Sequence, residues 1–188
     1  MKHVVFKDRV KLYVRAGNGG NGCVSFRREK FIPKGGPDGG DGGNGGSVIL
    51  QCDSNEDSLL PLYYQPHQRA KNAQPGMGSQ CHGRNGADCI AKVPCGTIVT
   101  EAETGEFVGE LMQEGEELVV AKGGKGGLGN IHFKSSTNQT PRQFTEGAPG
   151  EEKALWLELK LVADVGLVGY PNAGKSTLLS KLTHAHPK

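Results

Sequence analysis

Residues 35–46 read GGPDGGDGGNGG, with glycine at 36, 39, 42 and 45 and again at 40, 43 and 46. This period of three matches neither the 3.6 of an α-helix nor the 2 of a strand; it is the period of a polyproline II helix. One edge of such a helix is bare of side chains, so another backbone can pack directly against it. The spacing returns at Gly17 and Gly20, at Gly19 and Gly22, and at Gly123, Gly126 and Gly129 with Gly124 and Gly127; Gly83 and Gly86 echo it. The pattern predicts extended segments that meet in space and bundle. A collagen-like chain needs many uninterrupted triplets, and this run has about four. A flexible linker would be glycine-serine rich and would keep no register. Disorder is opposed by composition: 30 glycines and 10 prolines make 40 of 188 residues, below the ~25–30% of low-complexity chains.

Apolar residues are 35% of the chain and aromatic ones 6%, so the core must be modest and backbone hydrogen bonding must carry much of the fold. A net charge of +2 identifies no partner, but its distribution is uneven. Seven glutamates and no Lys or Arg lie between Glu101 and Glu117. Lys122, Lys125, Lys134 and Arg142 follow in a stretch without acids. Arg27, Arg28, Lys30 and Lys34 surround the single Glu29, and Arg69, Lys71, Arg84 and Lys92 are opposed only by Asp88. The basic clusters thus accompany the glycine-rich loops. The cysteines at 23, 52, 81, 89 and 95 are odd in number and include no C-x-x-C pair, which argues against a disulfide framework or a zinc site. Cys89 and Cys95 are expected to be small buried apolar residues. His67, His82 and His132 lack partners at ligand spacing and read as hydrogen-bonding loop residues. The N-terminal stretch has no continuous apolar run, so neither a signal peptide nor a membrane span is expected, and a cytoplasmic monomer is the expectation.

Alternation predicts a half-buried strand from Val10 to Ala16. Further strands are expected at residues 23–26, 47–52, 87–94, 97–101, 106–111 and 117–121, with a turn at Thr104-Gly105, and a last one from Glu152. Residues 59–64 are ambiguous because Pro61 interrupts them, and residues 67–86 read as loop. No helical period of any length is expected before residue 174. The sum is a mainly β chain of about eight short strands, a small barrel or sandwich, with three glycine-rich excursions. The composition changes at Val162 and Ala163, where an apolar run reads as a buried parallel strand, so the boundary is expected there: residues 1–162, then 163–188.

Residues 169–176, GYPNAGKS, fit G-x-x-x-x-G-K-[ST]. Glycines let such a loop wrap phosphates, its successive N–H groups form an anion nest, and the following helix adds its positive end. Gly169, Tyr170, Pro171, Asn172, Ala173, Gly174, Lys175, Ser176 and Thr177 are the expected phosphate-binding residues. Lys175 would reach the β and γ phosphates as the catalytic group, and the Ser176 hydroxyl would bind Mg²⁺. Leu178, Leu179 and Leu182 would form one face of the helix, which Pro187 would stop. No D-x-x-G and no N-K-x-D follows within the twelve residues after Ser176. The chain as it stands is therefore expected to hold a phosphate cradle without the switch and base-reading parts, and to be catalytically incomplete.

Three segments together, FRREKFIPKGGPDGGDGGNGG, KGGKGGLGN with HFKSSTNQTPRQFTEGAPGE, and GYPNAGKST, resemble the Obg family of GTPases over the whole chain. The resemblance implies an Obg fold over residues 1–162: a small β-barrel with a projecting bundle of glycine-rich polyproline II helices. Residues 163–188 would begin an α/β P-loop GTPase domain. It also implies GTP and GDP as ligands with Mg²⁺, slow GTP hydrolysis, action in assembly of the large ribosomal subunit, and sensitivity to guanosine tetraphosphate.

Two functions follow. One is a GTPase switch of which this chain carries the phosphate loop. The other is a stand-alone module that docks on ribosomal RNA without catalysis. For the module, Arg27, Arg28, Lys30, Lys34, Arg84, Lys122, Lys125, Lys134 and Arg142 are the candidate phosphate contacts, with steep salt dependence and little sequence readout.

Overall fold

The computed structural model describes residues 7–30, 35–160, 168–170, 174–175 and 177–178. The predicted boundary at 162/163 lies outside them. So do Lys34, Pro171, Asn172, Ala173, Ser176, Leu179, Leu182 and Pro187.

Eight strands form two sheets. β1 (Arg9–Arg15), β3 (His67–Arg69), β5 (Thr97–Glu101), β6 (Phe107–Leu111) and β8 (Glu152–Leu159) make a five-stranded sheet in the order β3-β1-β8-β5-β6. β2 (Val48–Cys52), β4 (Cys89–Val93) and β7 (Glu117–Ala121) make a three-stranded sheet in the order β4-β2-β7. The sheets meet at both edges, where β6 lies against β7 and β3 against β4, and so enclose a barrel. The core follows from the period of two: Val10, Leu12 and Val14 on β1 turn inward with Leu155 and Leu157 on β8, Val99 on β5, and Val48 and Leu50 on β2. Each fully buried Leu contributes roughly 1.5–3 kcal/mol.

Four sequence expectations change. Residues 23–26 are not a strand; they contribute only the isolated bridge Phe26–Pro37. Residues 60–64 form a short helix, α1 (Leu60–Tyr64), because Pro61 falls in its first turn, where the missing N–H has no helical acceptor to lose. With the 3-10 helix Asn130–Phe133, this overturns the expectation of no helix before residue 174. The stretch read as loop contains β3, which pairs in parallel with β1 through Tyr13 and His67. Cys95 is joined to Cys52 in a disulfide, their Cα atoms 5.5 Å apart, so an odd cysteine count did not preclude one pair. Cys89 and Cys95 both pack against the core as expected.

The glycine-rich excursions are three extended hairpins, each leaving one barrel strand and returning into another. They link β1 to β2, β3 to β4, and β7 to β8. Their six arms bundle with a three-residue register. Gly17, Gly20 and Cys23 donate N–H bonds to the carbonyls of Gly46, Gly43 and Gly40. Gly42 and Gly45 donate to Gly127 and Gly124, and Gly40, Gly43 and Gly46 to Met77, Gln74 and Lys71.

The arm at residues 38–47 sits in the middle, and this explains its Gly-Gly-polar triplet. A Cβ on Gly39, Gly42 or Gly45 would strike a carbonyl of the arm at residues 17–23. A Cβ on Gly40, Gly43 or Gly46 would strike a carbonyl of the arm at residues 81–87. Only the third position has room, and its side chain closes the remaining bonds: Asp41 Oδ1 accepts from Gly129 N–H at 2.7 Å and Asn44 Oδ1 from Gly126 N–H at 2.9 Å. Ser47 Oγ accepts from Gly123 N–H at 3.2 Å. At ~3.1 Å per residue the twelve-residue run is about 37 Å long.

Candidate functional site

The far end of the bundle is fastened by residues that no sequence motif marked. Asn130, fully buried, accepts the Gly39 N–H at 2.9 Å and donates to the carbonyls of Ser25 at 2.9 Å and Pro141 at 3.1 Å. Its side-chain oxygen takes the place that the Gly127 and Gly124 carbonyls hold in the preceding triplets. The only sequence signal was its position, directly after the last glycine of the third run. Asp41 bridges two further arms: its Oδ2 lies 2.9 Å from His132 Nε2 and 3.6 Å from His82 Nδ1. Burial pushes the Asp41 carboxyl upward, but the Gly129 N–H and the His132 and His82 rings outweigh it and hold it below the usual carboxylate range. Ser79 and Gln80 have φ of 57° and 58° and turn the second hairpin, and Asp38 secures them through Ser79 N–H to Oδ2 at 3.2 Å. Among the described residues no group of three His, Cys, Asp or Glu is placed to hold a metal ion.

The sequence candidates separate around this frame. Lys122 and Lys125 occupy the third position of their triplets, the one that faces solvent on the outer arm, and both are exposed. Arg28, Arg84, Lys134 and Arg142 are exposed and form no ion pair among the described residues; Lys30 is exposed as well. Arg27 differs, because Glu29 accepts from its Nε and Nη2, each at 3.0 Å. Both partners of that pair are exposed. Arg27, Arg28, Lys30, Lys134 and Arg142 gather at the end away from the barrel, where Arg27 N–H bonds Gly36 and Asn130 reaches Pro141. Arg84 and Lys125 lie along the shaft, and Lys122 lies at the barrel end, where its N–H bonds Glu151 Oε2.

Of the phosphate loop, Val168, Gly169, Tyr170, Gly174, Lys175, Thr177 and Leu178 are described. Gly174 has φ +79°, a conformation that an L side chain resists. A helical turn opens after it, with Leu178 N–H bonding Gly174 O at 2.9 Å. Lys175 reaches back over the loop, its ammonium donating to the carbonyls of Gly169 at 2.5 Å and Tyr170 at 2.6 Å. The Lys175 stem passes 3.6 Å from where a Cβ on Gly169 would stand, an ordinary contact distance. A positive-φ glycine that opens a helical turn, beside a lysine ammonium turned back toward residues 169–170, offers donors suited to an anion. Val168 and Tyr170 are exposed, at 101% and 88%.

A barrel that carries a rod of extended glycine helices and continues into a phosphate-loop sequence matches two family models. One, described as GTP1/OBG, covers residues 7–161; the other, described as 50S ribosome-binding GTPase, covers residues 164–188. The chain belongs to the GTP1/OBG family. Its relatives include the GTPase Obg of Desulfotalea psychrophila, 58% identical over 98% of this chain and 50% of that protein. The GTPase Obg of Persephonella marina is 56% identical over 97% of this chain and 54% of its own length, and that of Aquifex aeolicus 56% over 97% and 53%. The chain spans about half the length of the curated relatives it matches. Among the described residues no helix is long and apolar enough to cross a membrane.

Proposed function

We propose that the chain is the docking arm and phosphate loop of a cytoplasmic GTP-binding, GTP-hydrolysing protein that acts in assembly of the large ribosomal subunit. Residues 1–162 dock on ribosomal RNA and residues 163–188 begin the nucleotide domain. The observation that carries this reading is the arm itself. Its interior is closed by backbone bonds in a three-residue register, so it is a stiff rod, and Arg28, Lys134 and Arg142 stand exposed at its far end. A rigid rod with free cations at its tip can enter a narrow anionic cleft at little ordering cost.

The nucleotide half rests on Lys175, Gly174 and the helix start. These residues fit a phosphate group: the ammonium exchanges its two loop carbonyls for phosphate oxygens, and Gly174 turns the chain so that N–H groups face the anion. The Ser176 hydroxyl would hold Mg²⁺, a cation that selects oxygen ligands and would neutralise charge between the β and γ phosphates.

Co-sedimentation of the chain with large ribosomal subunits across a salt series tests the docking half. Binding should weaken steeply as salt rises, and the combined Arg28→Ala, Lys134→Ala and Arg142→Ala variant should flatten that slope by about three phosphate contacts. Arg27→Ala alone should change the slope less than the triple variant, since Glu29 shares its charge. Binding indifferent to both salt and the triple variant would refute the reading.

A further inference from the structure

The outer face of the five-stranded sheet carries chemistry that neither candidate site uses. Because Val10, Leu12 and Val14 turn inward, Arg9, Lys11, Tyr13 and Arg15 point outward. Neighbouring strands widen the row: Tyr13 stands beside His67 on β3 and Ala154 on β8, and Lys11 beside Trp156 on β8. Rings and cations interleave. The Arg9 guanidinium lies 4.2 Å from the centroid of the Trp156 ring, and Lys11 Nζ lies 5.8 Å from that ring and 5.3 Å from Tyr13. Tyr13 stacks on His67 with centroids 5.2 Å apart and planes at 20°. A groove of about 360 Å³ opens over this stack; Arg15, Arg69 and Lys153 line it together with Glu103, Glu152 and the small Ala154. Its volume suits one nucleotide.

The charges on this face are not all neutralised. Arg9 pairs with Glu158 at 2.8 Å and Arg15 with Glu152 at 3.0 Å. Lys11 and Arg69 form no ion pair among the described residues, and Tyr13 is 43% exposed. The fitting ligand must offer flat π surface and negative charge at nucleotide spacing. An acidic peptide has the charge without the ring. We propose that this face binds single-stranded RNA, one base joining the Tyr13–His67 stack and the adjoining phosphates meeting Arg69 and Lys11. The proposal shares with the function above only its partner class and uses none of the residues of the arm or the phosphate loop.

Trp156 is the only tryptophan of the chain and lies within this row, so its fluorescence reports on the face directly. Titration with a single-stranded RNA of about eight nucleotides should change the emission saturably. Tyr13→Ala and Arg69→Glu, both at outward positions, should each weaken binding about tenfold. The arm variant with Arg28, Lys134 and Arg142 replaced by Ala should bind as the parent does, which separates failure of this proposal from failure of arm docking. The proposal is overturned by no saturable change, or by unaltered affinity in both folded variants. Saturation by free AMP or GMP at the same concentrations, or an equal response to polyglutamate, overturns it too.

Discussion

At the level of single residues, the arm depends on atoms that stand in for one another. Asn130 completes with its side chain a ladder that glycine carbonyls began, and it ties its own arm to Gly39, Ser25 and Pro141 on the others. Asn130→Ala should strand the Gly39 N–H and the Pro141 carbonyl, while the Ser25 carbonyl keeps its bond from the Asp38 N–H, and should cost about 2–3 kcal/mol, read as a lowered denaturation midpoint. An unchanged midpoint would show that the tip is not closed through this side chain. Glycine matters by position rather than by abundance. Gly42→Ala places a Cβ closer than 3.0 Å to the Gly20 carbonyl, and the nearest atoms are all backbone, so no flexible side chain can yield. We expect a loss of at least ~3 kcal/mol there. At Gly36 the nearest atom is Lys134 Nζ at 3.8 Å, a flexible side-chain end, so Gly36→Ala should stay within ~0.5 kcal/mol. Equal effects of the two substitutions, measured by urea denaturation, would contradict the packed-rod description. The period of three was legible in the sequence. Which glycine touches backbone was not, because that depends on how six arms are rotated about their axes.

Among the elements, the strands were the easiest to read and the contacts between them the hardest. Alternation marked β1, β5 and β8 because each buries one face. It missed β3, whose three residues are too few to alternate and whose place is set by pairing with β1. The three-stranded sheet is held at one rim by an ion pair, with Lys92 Nζ on β4 2.7 Å from Asp53 Oδ2 just after β2. The Lys92 ammonium and the Asn55 backbone and side-chain N–H groups hold the Asp53 carboxyl at about 2 against the usual 3.8. A depressed carboxylate adds stability in full above its unfolded value and loses it as the group protonates in the fold. Thermal midpoints should therefore drop as pH falls from about 3.8 toward about 2. Lys92→Met should make that acid limb shallower, and an identical limb in the variant would remove the pair from the account.

Over the whole molecule, barrel and arm are one construction. Each arm is the continuation of a barrel strand, and nearly all its bonds reach residues distant in sequence. Every amide from 38 to 47 donates, to backbone or to Asn130, His82, Asn85 and Asp88 side chains. Such a topology predicts slow folding and no independent unfolding of the arm. Hydrogen exchange at residues 38–47 should be as slow as in β1 and β8, and should rise with denaturant together with the loss of Trp156 fluorescence. Fast exchange of the glycine amides in an intact barrel would show instead a flexible loop.

The sequence by itself determined the triplet period, the inward faces of the long strands and the phosphate-loop pattern, because each is a local repeat or a contiguous motif. Tertiary structure decided what those repeats mean. It placed Asp41, Asn44 and Ser47 where each closes a bond with another arm, paired Arg27 with Glu29 while leaving Arg28, Lys134 and Arg142 exposed at the tip, and aligned Tyr13, His67 and Trp156 from three strands into one face. These outcomes depend on register and rotation between segments far apart in the chain, and a linear pattern records neither.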